Sequence, residues 1–329
     1  MNKNVILTFD YEVFLGQETG TIENCVIKPT QLILEILQRN NATAIFFVDT
    51  TWLLFLQDNF PSDFQIISKQ LRAIIKSGSS IELHLHPQWK SASRIGEKIV
   101  FKSFNNYKLH SLSQEEILDL FRKSTELLES ITLQKVRCFR AGGFCIEPFS
   151  QIKVAFQTCG LKFDFSVVPG SYLIEGDVYD YDFSKVPKLP FYYFQDEASK
   201  PEINGSFVEI PISTYNNNPI YRFVNKITLI SNNDKIFGDG KSIQEKSSFF
   251  IRSLYRRLQF STGGLSIDKT SNMFFKYLLK IHFRREDLII IVSHPKALSE
   301  IALRNLSYVT KHYNTLNSRD LDKYLTSKF

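Results

Sequence analysis

Short apolar runs that stop at polar residues recur along this chain and alternate with segments of helical periodicity. The first run, Val5–Leu7, ends at two acidic residues, and the second spans Ala42–Val48. Between them, apolar residues from Leu32 to Leu37 repeat at helical spacing after Pro29, which suits the first turn of a helix. Bounded apolar runs indicate buried strands, and their alternation with helices predicts a parallel sheet with right-handed crossovers.

The same alternation continues along most of the chain. Further strands are predicted within residues 80–89, 136–144, 163–170, 206–213 and 288–295. Further helices are predicted through residues 66–75 (as part of one long helix ending near Gly78), 113–128, 148–159, 243–258, 271–283 and 298–313. The polar stretch 90–111 is typical of a surface loop or short hairpin.

One stretch interrupts the alternation. Residues 171–205 are rich in Tyr, Asp and Pro, which predicts hairpins or a long excursion over one face of the sheet. Such an insertion either binds sugars through its aromatic and acidic side chains or shields a sheet edge. We therefore expect one large domain over 1–300 with this insertion, and a helical extension over 301–329 packed on the same domain.

Polar side chains follow the first predicted strand. Asp10 and Glu12 are two residues apart, so they point to the same side of the strand. Ligands of α/β folds bind beyond the carboxyl ends of the strands. Two neighbouring acids raise one another's pKa unless a cation lies between them. The pair therefore indicates a metal site with one carboxylate as ligand and the other as base, although solvated acids at a strand end remain an alternative.

Other predicted strand ends carry histidine and arginine side chains. His84 and His86 also share one face of a strand, and imidazole is a common neutral metal ligand. Pro87 ends that strand, which places both histidines at the rim. Arg140 follows the fourth strand, where it would clamp an acid and lower its pKa. His294 follows the last strand, and it is again succeeded by proline.

Composition narrows the class of protein. The chain has 329 residues, 43% of them hydrophobic, and 29 Phe, which is far from a disordered composition. Its net charge of +6 fits anionic small molecules or glycans and is too diffuse to indicate nucleic acid.

The cluster Arg252, Arg256 and Arg257 is typical of a solvated helix face, and four scattered cysteines indicate free thiols. Without a secretory signal or a bilayer-length apolar run, we expect a cytoplasmic protein with no transmembrane segment.

Five motifs occur in a characteristic order. They are Thr8–Glu12, Ala42–Phe47, His84-x-His86-Pro87, Arg140–Gly143 and His294-Pro295. This series resembles the polysaccharide deacetylase family, the NodB-like family 4 carbohydrate esterases. It looks most like the cytoplasmic branch associated with surface-polysaccharide biosynthesis. The resemblance implies an α/β fold, an irregular (β/α) barrel with fewer than eight strands, and a metal-dependent hydrolase that removes N- or O-acyl groups from sugars.

The resemblance also implies roles for individual residues. The expected catalytic residues are Asp10 as general base, His294 as general acid and Arg140 as the residue that orients the base. The expected ligands of one divalent ion, most often zinc in this family, are Glu12, His84 and His86. The residue types and positions beside these motifs suggest four candidate substrate contacts: Trp89, Tyr11, Gly142 and Gly143.

Three details depart from the family pattern. Tyr11 separates Asp10 from Glu12, the two histidines are two residues apart with Gln88 in the usual second position, and no proline follows Arg140. These departures leave two alternatives open. One is a catalytically inactive relative that binds a glycan or glycolipid intermediate. The other is a hydrolase that cleaves a different bond, for example in a nucleotide-linked sugar.

Overall fold

A computed structural model describes residues 3–175, 179–231, 234–241 and 261–328. The described strands are β1 (Asn4–Tyr11), β2 (Ile45–Asp49), β3 (Ser80–Leu85), β4 (Ala92–Ile95), β5 (Lys98–Phe101), β6 (Cys138–Ala141), β7 (Phe163–Asp164), β8 (Tyr172–Glu175), β9 (Tyr179–Asp182), β10 (Tyr192–Phe194), β11 (Phe207–Glu209), β12 (Thr214–Asn217), β13 (Ser261–Gly264), β14 (Leu288–Ser293) and β15 (Asn314–Leu316). The described α-helices are α1 (Lys28–Arg39), α2 (Thr50–Asn59), α3 (Pro61–Lys76), α4 (Gln114–Thr132), α5 (Lys153–Thr158), α6 (Pro219–Ser231), α7 (Asn272–His282), α8 (Glu300–His312) and α9 (Leu321–Thr326). The helix predicted at 243–258, with its arginine cluster, lies outside the described residues.

A curled parallel sheet organises the domain. Its order is β10–β11–β7–β6–β3–β2–β1–β14, and β15 pairs with the first half of β1. Only the β10–β11 pair among these strands is antiparallel. The segment after β11 connects the two sides, because the Ile212 amide donates to Val167 and the Ser213 amide donates to Ile290 of β14. The predicted irregular (β/α) barrel fold is therefore confirmed, and its curled parallel sheet forms a half-barrel.

The central strands are buried on both faces. Every residue of β2, β3 and β14 is buried, as are residues 5–11 of β1. Helices cover the outer face of a parallel sheet, while side chains from the strands fill its interior. This double burial explains why β2 and β14 appear in the sequence as nearly continuous apolar runs. β3 is equally buried but alternates polar and apolar residues.

Several predicted elements have different bounds. The long helix expected after β2 is two helices, because Pro61 lacks a backbone N–H and disfavours the helical conformation at Phe60, whose φ and ψ are −138° and 66°. The third strand ends at Leu85, since Pro87 begins a short 3-10 helix over Pro87–Ser91. Helix α6 was not predicted. Helix α4 begins with a capping box, in which Ser113 and Glu116 form reciprocal bonds.

The two predicted surface excursions contain hairpins. Strands β4 and β5 pair within residues 90–111, and β8 and β9 pair within the insertion 171–205. The C-terminal segment 301–329 contributes helices and also β15, which joins the main sheet. The division into 1–300 and 301–329 stays a prediction. Among the described helices, none combines the length and hydropathy needed to cross a bilayer.

Candidate active site

Arg140, on β6, is buried at the centre of the curled sheet. Its Nη1 atom forms an ion pair with Asp10, and its Nη2 atom donates to the Thr8 hydroxyl at 2.9 Å. Its Nε atom donates to the Phe165 carbonyl at 3.0 Å, and its guanidinium lies 4.4 Å from the Phe47 ring centroid. These partners come from three separate parts of the sheet, so the arginine fixes the Asp10 carboxylate relative to the neighbouring strands.

The Asp10 carboxyl is 3% exposed and carries a negative charge in spite of its burial. Burial by itself raises the pKa of Asp10, but the nearby charges of Arg140, His84 and His294 more than offset that effect and lower the pKa below its usual value. Thr8 and Asp10 both bond to Arg140, which confirms that residues two apart on β1 point to the same side. The contact with Arg140 therefore favours the ionised form of Asp10 and fixes the orientation of its carboxylate.

Glu12 lies next to both histidines that end β3. Its Oε2 atom is 3.4 Å from Nε2 of His84 and 2.8 Å from Nε2 of His86. All three side chains are at most 5% exposed. The imidazole rings meet edge to face with centroids 4.6 Å apart, so their Nε2 atoms converge on one carboxylate oxygen from different directions.

This cluster fits a divalent metal ion. The three potential ligand atoms lie within 4.8 Å of one another. Glu12 Oε2 is buried, and the Nε2 atoms of both imidazoles face it. His84 Nδ1 donates to the Arg140 carbonyl at 2.7 Å, which leaves the Nε2 lone pair available as a ligand. Two imidazoles and one carboxylate are a known ligand set for zinc, with a fourth position left for water or substrate.

His294 faces Asp10 from the opposite side of the pocket. Its Nε2 atom is 3.6 Å from Asp10 Oδ2, and its Nδ1 atom is 3.1 Å from Asp268 Oδ2. The His294 backbone amide also donates to Asp268 at 3.0 Å, and the Ser293 hydroxyl donates to the other Asp268 oxygen at 2.5 Å. Asp268 therefore holds the imidazole with Nε2 directed toward Asp10.

Sequence reasoning missed two charged residues of the site. Asp268 lies in the loop after β13, and its only sequence signal is the alternation in Leu265-Ser266-Ile267-Asp268. Lys296 stands two residues beyond His294, and its Nζ atom contacts Glu12 Oε1 and the Val13 carbonyl, each at 2.9 Å. Burial raises the pKa of Glu12, but Lys296 and the two histidines more than offset it, so the pKa is held well below its usual range.

The charged groups lie at the base of a pocket of about 420 Å³. Its wall includes aromatic side chains from two excursions: Tyr107 from the 90–111 region, and Tyr179 and Tyr181 from β9. Gly143 also lines the pocket and has a φ of 60°. A Cβ atom there would come within 2.7 Å of the Tyr107 ring, so only glycine allows this aromatic wall to approach.

Gly142 lies behind His86 rather than on the pocket wall. A Cβ atom at this position would lie 2.6 Å from His86 Nδ1 and equally close to the Leu85 carbonyl oxygen. Gly142 thus allows the histidine to pack against β6. This position supports a role for Gly142 in placing His86. Contact of Gly142 and Gly143 with substrate stays a prediction.

The structure corrects the expectation that Trp89 and Tyr11 contact substrate. Trp89 is 2% exposed and packs in the core, with its ring 5.5 Å from that of Phe55. Its indole N–H donates to the buried Asp49 carboxylate at 2.7 Å. Tyr11 is fully buried, and its hydroxyl donates to Gln70 at 2.7 Å. Tyr11 is the last residue of β1 and Trp89 lies in the 3-10 helix after β3, and neither side chain lines the pocket.

We expect Trp89→Phe to reduce stability without changing substrate binding. The variant keeps the ring but removes the donor to Asp49, which leaves a buried acid with one fewer partner. The free energy of unfolding should fall by about 1–3 kcal/mol. Denaturant unfolding and steady-state kinetics measure the two quantities. A raised KM with unchanged stability would contradict the core position and restore the role in substrate contact.

Comparison with known proteins finds similarity to one family over the first part of the chain. Residues 1–147 match the family model described as polysaccharide deacetylase. This part of the chain is similar to polysaccharide deacetylases. The matched range contains Asp10, Glu12, His84, His86 and Arg140, but it ends before the loop of Asp268 and before His294. None of the curated proteins shows a significant match.

Solved structures show the shared fold. A putative polysaccharide deacetylase from Mycobacterium smegmatis aligns with a TM-score of 0.54 and 12% identity, covering 100% of this chain and 92% of that chain. A 4-alpha-glucanotransferase from Thermococcus litoralis aligns with a TM-score of 0.51 and 12% identity, covering 100% of this chain and 41% of that chain. Residues 1–147 are thus similar to polysaccharide deacetylases, and these two solved structures share the fold of the chain.

A family 4 carbohydrate esterase from Streptomyces lividans, solved in complex with acetate, is also similar. It has 16% identity and a TM-score of 0.33, and the alignment covers 50% of this chain. The alignment spans 62% of the length of the esterase.

Proposed function

We propose that this protein is a metal-dependent deacylase that hydrolyses an N- or O-acyl group on a sugar during the synthesis or modification of a polysaccharide. The observation that carries the proposal is the convergence of Glu12, His84 and His86 beside the ionised Asp10, with His294 facing Asp10 across the pocket. The similarity of residues 1–147 to polysaccharide deacetylases supports the same reaction class.

The proposed reaction needs a base, a stabilised oxyanion and a proton for the leaving group. A divalent ion held by Glu12, His84 and His86 would supply Lewis-acid polarisation of the acyl carbonyl and a lower pKa for the attacking water. Asp10 accepts the proton of the water as the new C–O bond forms. His294 donates a proton from Nε2 to the leaving nitrogen or oxygen as the acyl bond breaks. The products are a carboxylic acid and the free amine or alcohol.

The aromatic wall gives the pocket an affinity for sugars. Aromatic faces stack on the apolar C–H surfaces of pyranose rings, and phenol groups can exchange hydrogen bonds with sugar hydroxyls. Tyr107 and Tyr179 lie edge to face with centroids 5.4 Å apart, immediately above the histidines. We propose that these two tyrosines, rather than Trp89, contact the sugar.

The proposed function is tested by measuring released acid. Purified protein reconstituted with zinc should release acetate from acetylated amino sugars or their oligomers, and the amount of acetate should equal the amount of new amine or hydroxyl. Protein treated with a chelator should lose this release and regain it after zinc is restored. Phosphate or nucleotide release without acetate would contradict deacylation and favour hydrolysis of a different bond.

One observation favours a second candidate function. The Lys296 ammonium already pairs with Glu12 and reduces the negative charge available to a metal ion. A protein in which this pair replaces metal binding would bind a glycan or glycolipid in the same pocket without hydrolysing it. Saccharide binding with no released acid, unchanged by zinc or chelator, would distinguish this function from the proposed deacylase.

A further inference from the structure

Helix α6, Pro219–Ser231, presents large apolar side chains to solvent. The exposed fractions are 71% for Ile220, 66% for Phe223, 42% for Val224, 50% for Ile227 and 67% for Ile230. These residues follow the i, i+3, i+4, i+7 and i+10 positions, so they lie along one face of the helix. Isolated exposed apolar residues are ordinary, whereas a continuous row marks a surface that binds something apolar.

The opposite side of α6 is attached to the domain by polar contacts. Asn225 Nδ2 donates to the Lys269 carbonyl at 2.9 Å, and Asn225 Oδ1 accepts from the Ser271 amide at 2.7 Å. The Tyr221 ring packs against Phe274 of α7, with centroids 5.4 Å apart. The helix therefore directs an amide toward the domain and a row of apolar side chains outward, which inverts the usual pattern of a surface helix.

The charges beside this row all have one sign. Helix α7 continues the exposed surface with Met273, 66% exposed, and Tyr277, 43% exposed. The charged residues within the two helices are all basic: Arg222 and Lys226 in α6, and Lys276 and Lys280 in α7. The sequences of α6 and α7 contain no Asp or Glu. Apolar side chains flanked by lysine and arginine are typical of helices that lie in the interface of an anionic bilayer.

We propose that α6 and α7 form a docking surface for an anionic lipid bilayer, here called the α6–α7 face. The row from Ile220 to Ile230 enters the boundary between headgroups and acyl chains, while the exposed Lys226 and Lys280 pair with lipid phosphates. A second copy of this chain is a poor occupant, because twofold pairing through this face would bring its cations against the same cations of the other copy. A bilayer accommodates both the apolar row and its uniform charge.

The α6–α7 face adjoins the rim of the candidate active site. Asn225 bonds directly to the backbone of Lys269, and Lys269 lines the pocket. Ile236, five residues beyond α6, lines the same pocket and is 38% exposed. Docking through α6 and α7 would therefore hold the pocket rim near the lipid headgroups. The proposal rests on the exposed surface and its charge, and it does not depend on the deacylase reaction.

Vesicle co-sedimentation of the full chain tests the α6–α7 face. We expect binding to phosphatidylcholine vesicles that contain phosphatidylglycerol, weaker binding to pure phosphatidylcholine, and a decrease with added salt. A variant with Phe223→Ser and Ile227→Ser should bind at least about tenfold more weakly, because two exposed apolar anchors are lost. Lys226→Gln should reduce binding only to the anionic vesicles, by about fivefold.

Matched controls distinguish binding through this surface from nonspecific binding by other exposed apolar residues. Ile203 is 96% exposed and Leu133 is 87% exposed, and both lie outside α6 and α7. Ile203→Ser and Leu133→Ser should bind anionic vesicles as the unmodified protein does. Three outcomes would overturn the proposal: no binding by the unmodified chain, equal losses in the controls, or lipid-free dimers that dissociate in the Phe223→Ser, Ile227→Ser variant. The last result would assign the face to contact between copies.

Discussion

His294→Ala should lower kcat of the proposed deacylase by about 10²–10⁴ while leaving the metal content unchanged. The loss follows from geometry, because Nε2 of His294 is the imidazole nitrogen that faces Asp10 across the pocket, at 3.6 Å. Without it, the leaving amine or alkoxide departs without a proton donor. Glu12, His84 and His86 do not depend on His294 for position, so metal binding should survive. Steady-state kinetics together with elemental analysis of the purified variant measure both quantities.

A second histidine provides the matched control. His312 lies on the exposed side of α8, where its Nδ1 atom bonds to the Tyr308 carbonyl, away from the pocket. His312→Ala should retain kcat and KM. Asp268→Asn should give an intermediate loss of kcat, because it weakens the contacts that orient His294 while keeping a side chain of similar size. Full activity of His294→Ala would refute the assigned proton transfer, and a parallel loss of metal would show that the residue acts on the metal site.

Arg140→Met should be among the most destabilising single substitutions in this domain. The arginine is fully buried and pairs with the buried Asp10, and it also donates to Thr8 and to the Phe165 carbonyl. Removal of one partner of a buried ion pair leaves the other charge uncompensated and costs about 3–5 kcal/mol of unfolding free energy. Denaturant unfolding at neutral pH measures this loss.

The pH dependence of that loss has a definite sign. Arg140 helps to lower the folded-state pKa of Asp10, so Asp10 stabilises the native protein above its unfolded pKa of about 3.9, and this stability is lost as pH falls through the lower folded pKa. In Arg140→Met, burial raises the pKa of Asp10. The loss of unfolding free energy relative to the unmodified protein should therefore be largest at neutral pH and should shrink in acid. The activity of the variant should require a higher pH.

An exposed ion pair provides the control for Arg140. Lys123 and Asp119 pair at 2.7 Å on α4, with side chains 61% and 58% exposed. Lys123→Met should change the free energy of unfolding by no more than about 0.5 kcal/mol, because solvent screens exposed pairs. A deficit for Arg140→Met that is equally small, or that does not vary between neutral and acid pH, would show that the Arg140–Asp10 pair contributes little to stability.

The strand ends of the site were predictable because the pattern of polar and apolar residues along the sequence marks the strands. Apolar runs mark β1 and β14, an alternating pattern marks β3, and parallel strands bring their carboxyl ends to one edge. Asp10, Glu12, His84, His86 and His294 therefore meet in the structure although the chain separates them by up to 284 residues. The fold class followed from the same runs, since strands and helices alternate along the sequence.

Residues placed by loops were not predictable in this way. Asp268 reaches His294 because Asn305 of α8 donates to the carbonyls of Ile267 and Thr270 and so fixes the loop around it. No local pattern encodes that contact between distant segments. Trp89 was misplaced for a related reason: the chain turns at Pro87 into a 3-10 helix, which directs the indole to Asp49 instead of the pocket. Sequence spacing alone does not show which way a chain turns after a strand ends.

The metal content of the purified protein tests the central claim most directly. Unmodified protein reconstituted with zinc and then dialysed should retain about one equivalent of metal, while Glu12→Gln and His86→Ala should retain little. Lys296→Met should retain the metal, because it removes a competing cation from Glu12 and none of the three ligands. An unmodified protein that holds no zinc, cobalt, nickel or manganese after reconstitution would contradict the proposed metal site and favour the glycan-binding function.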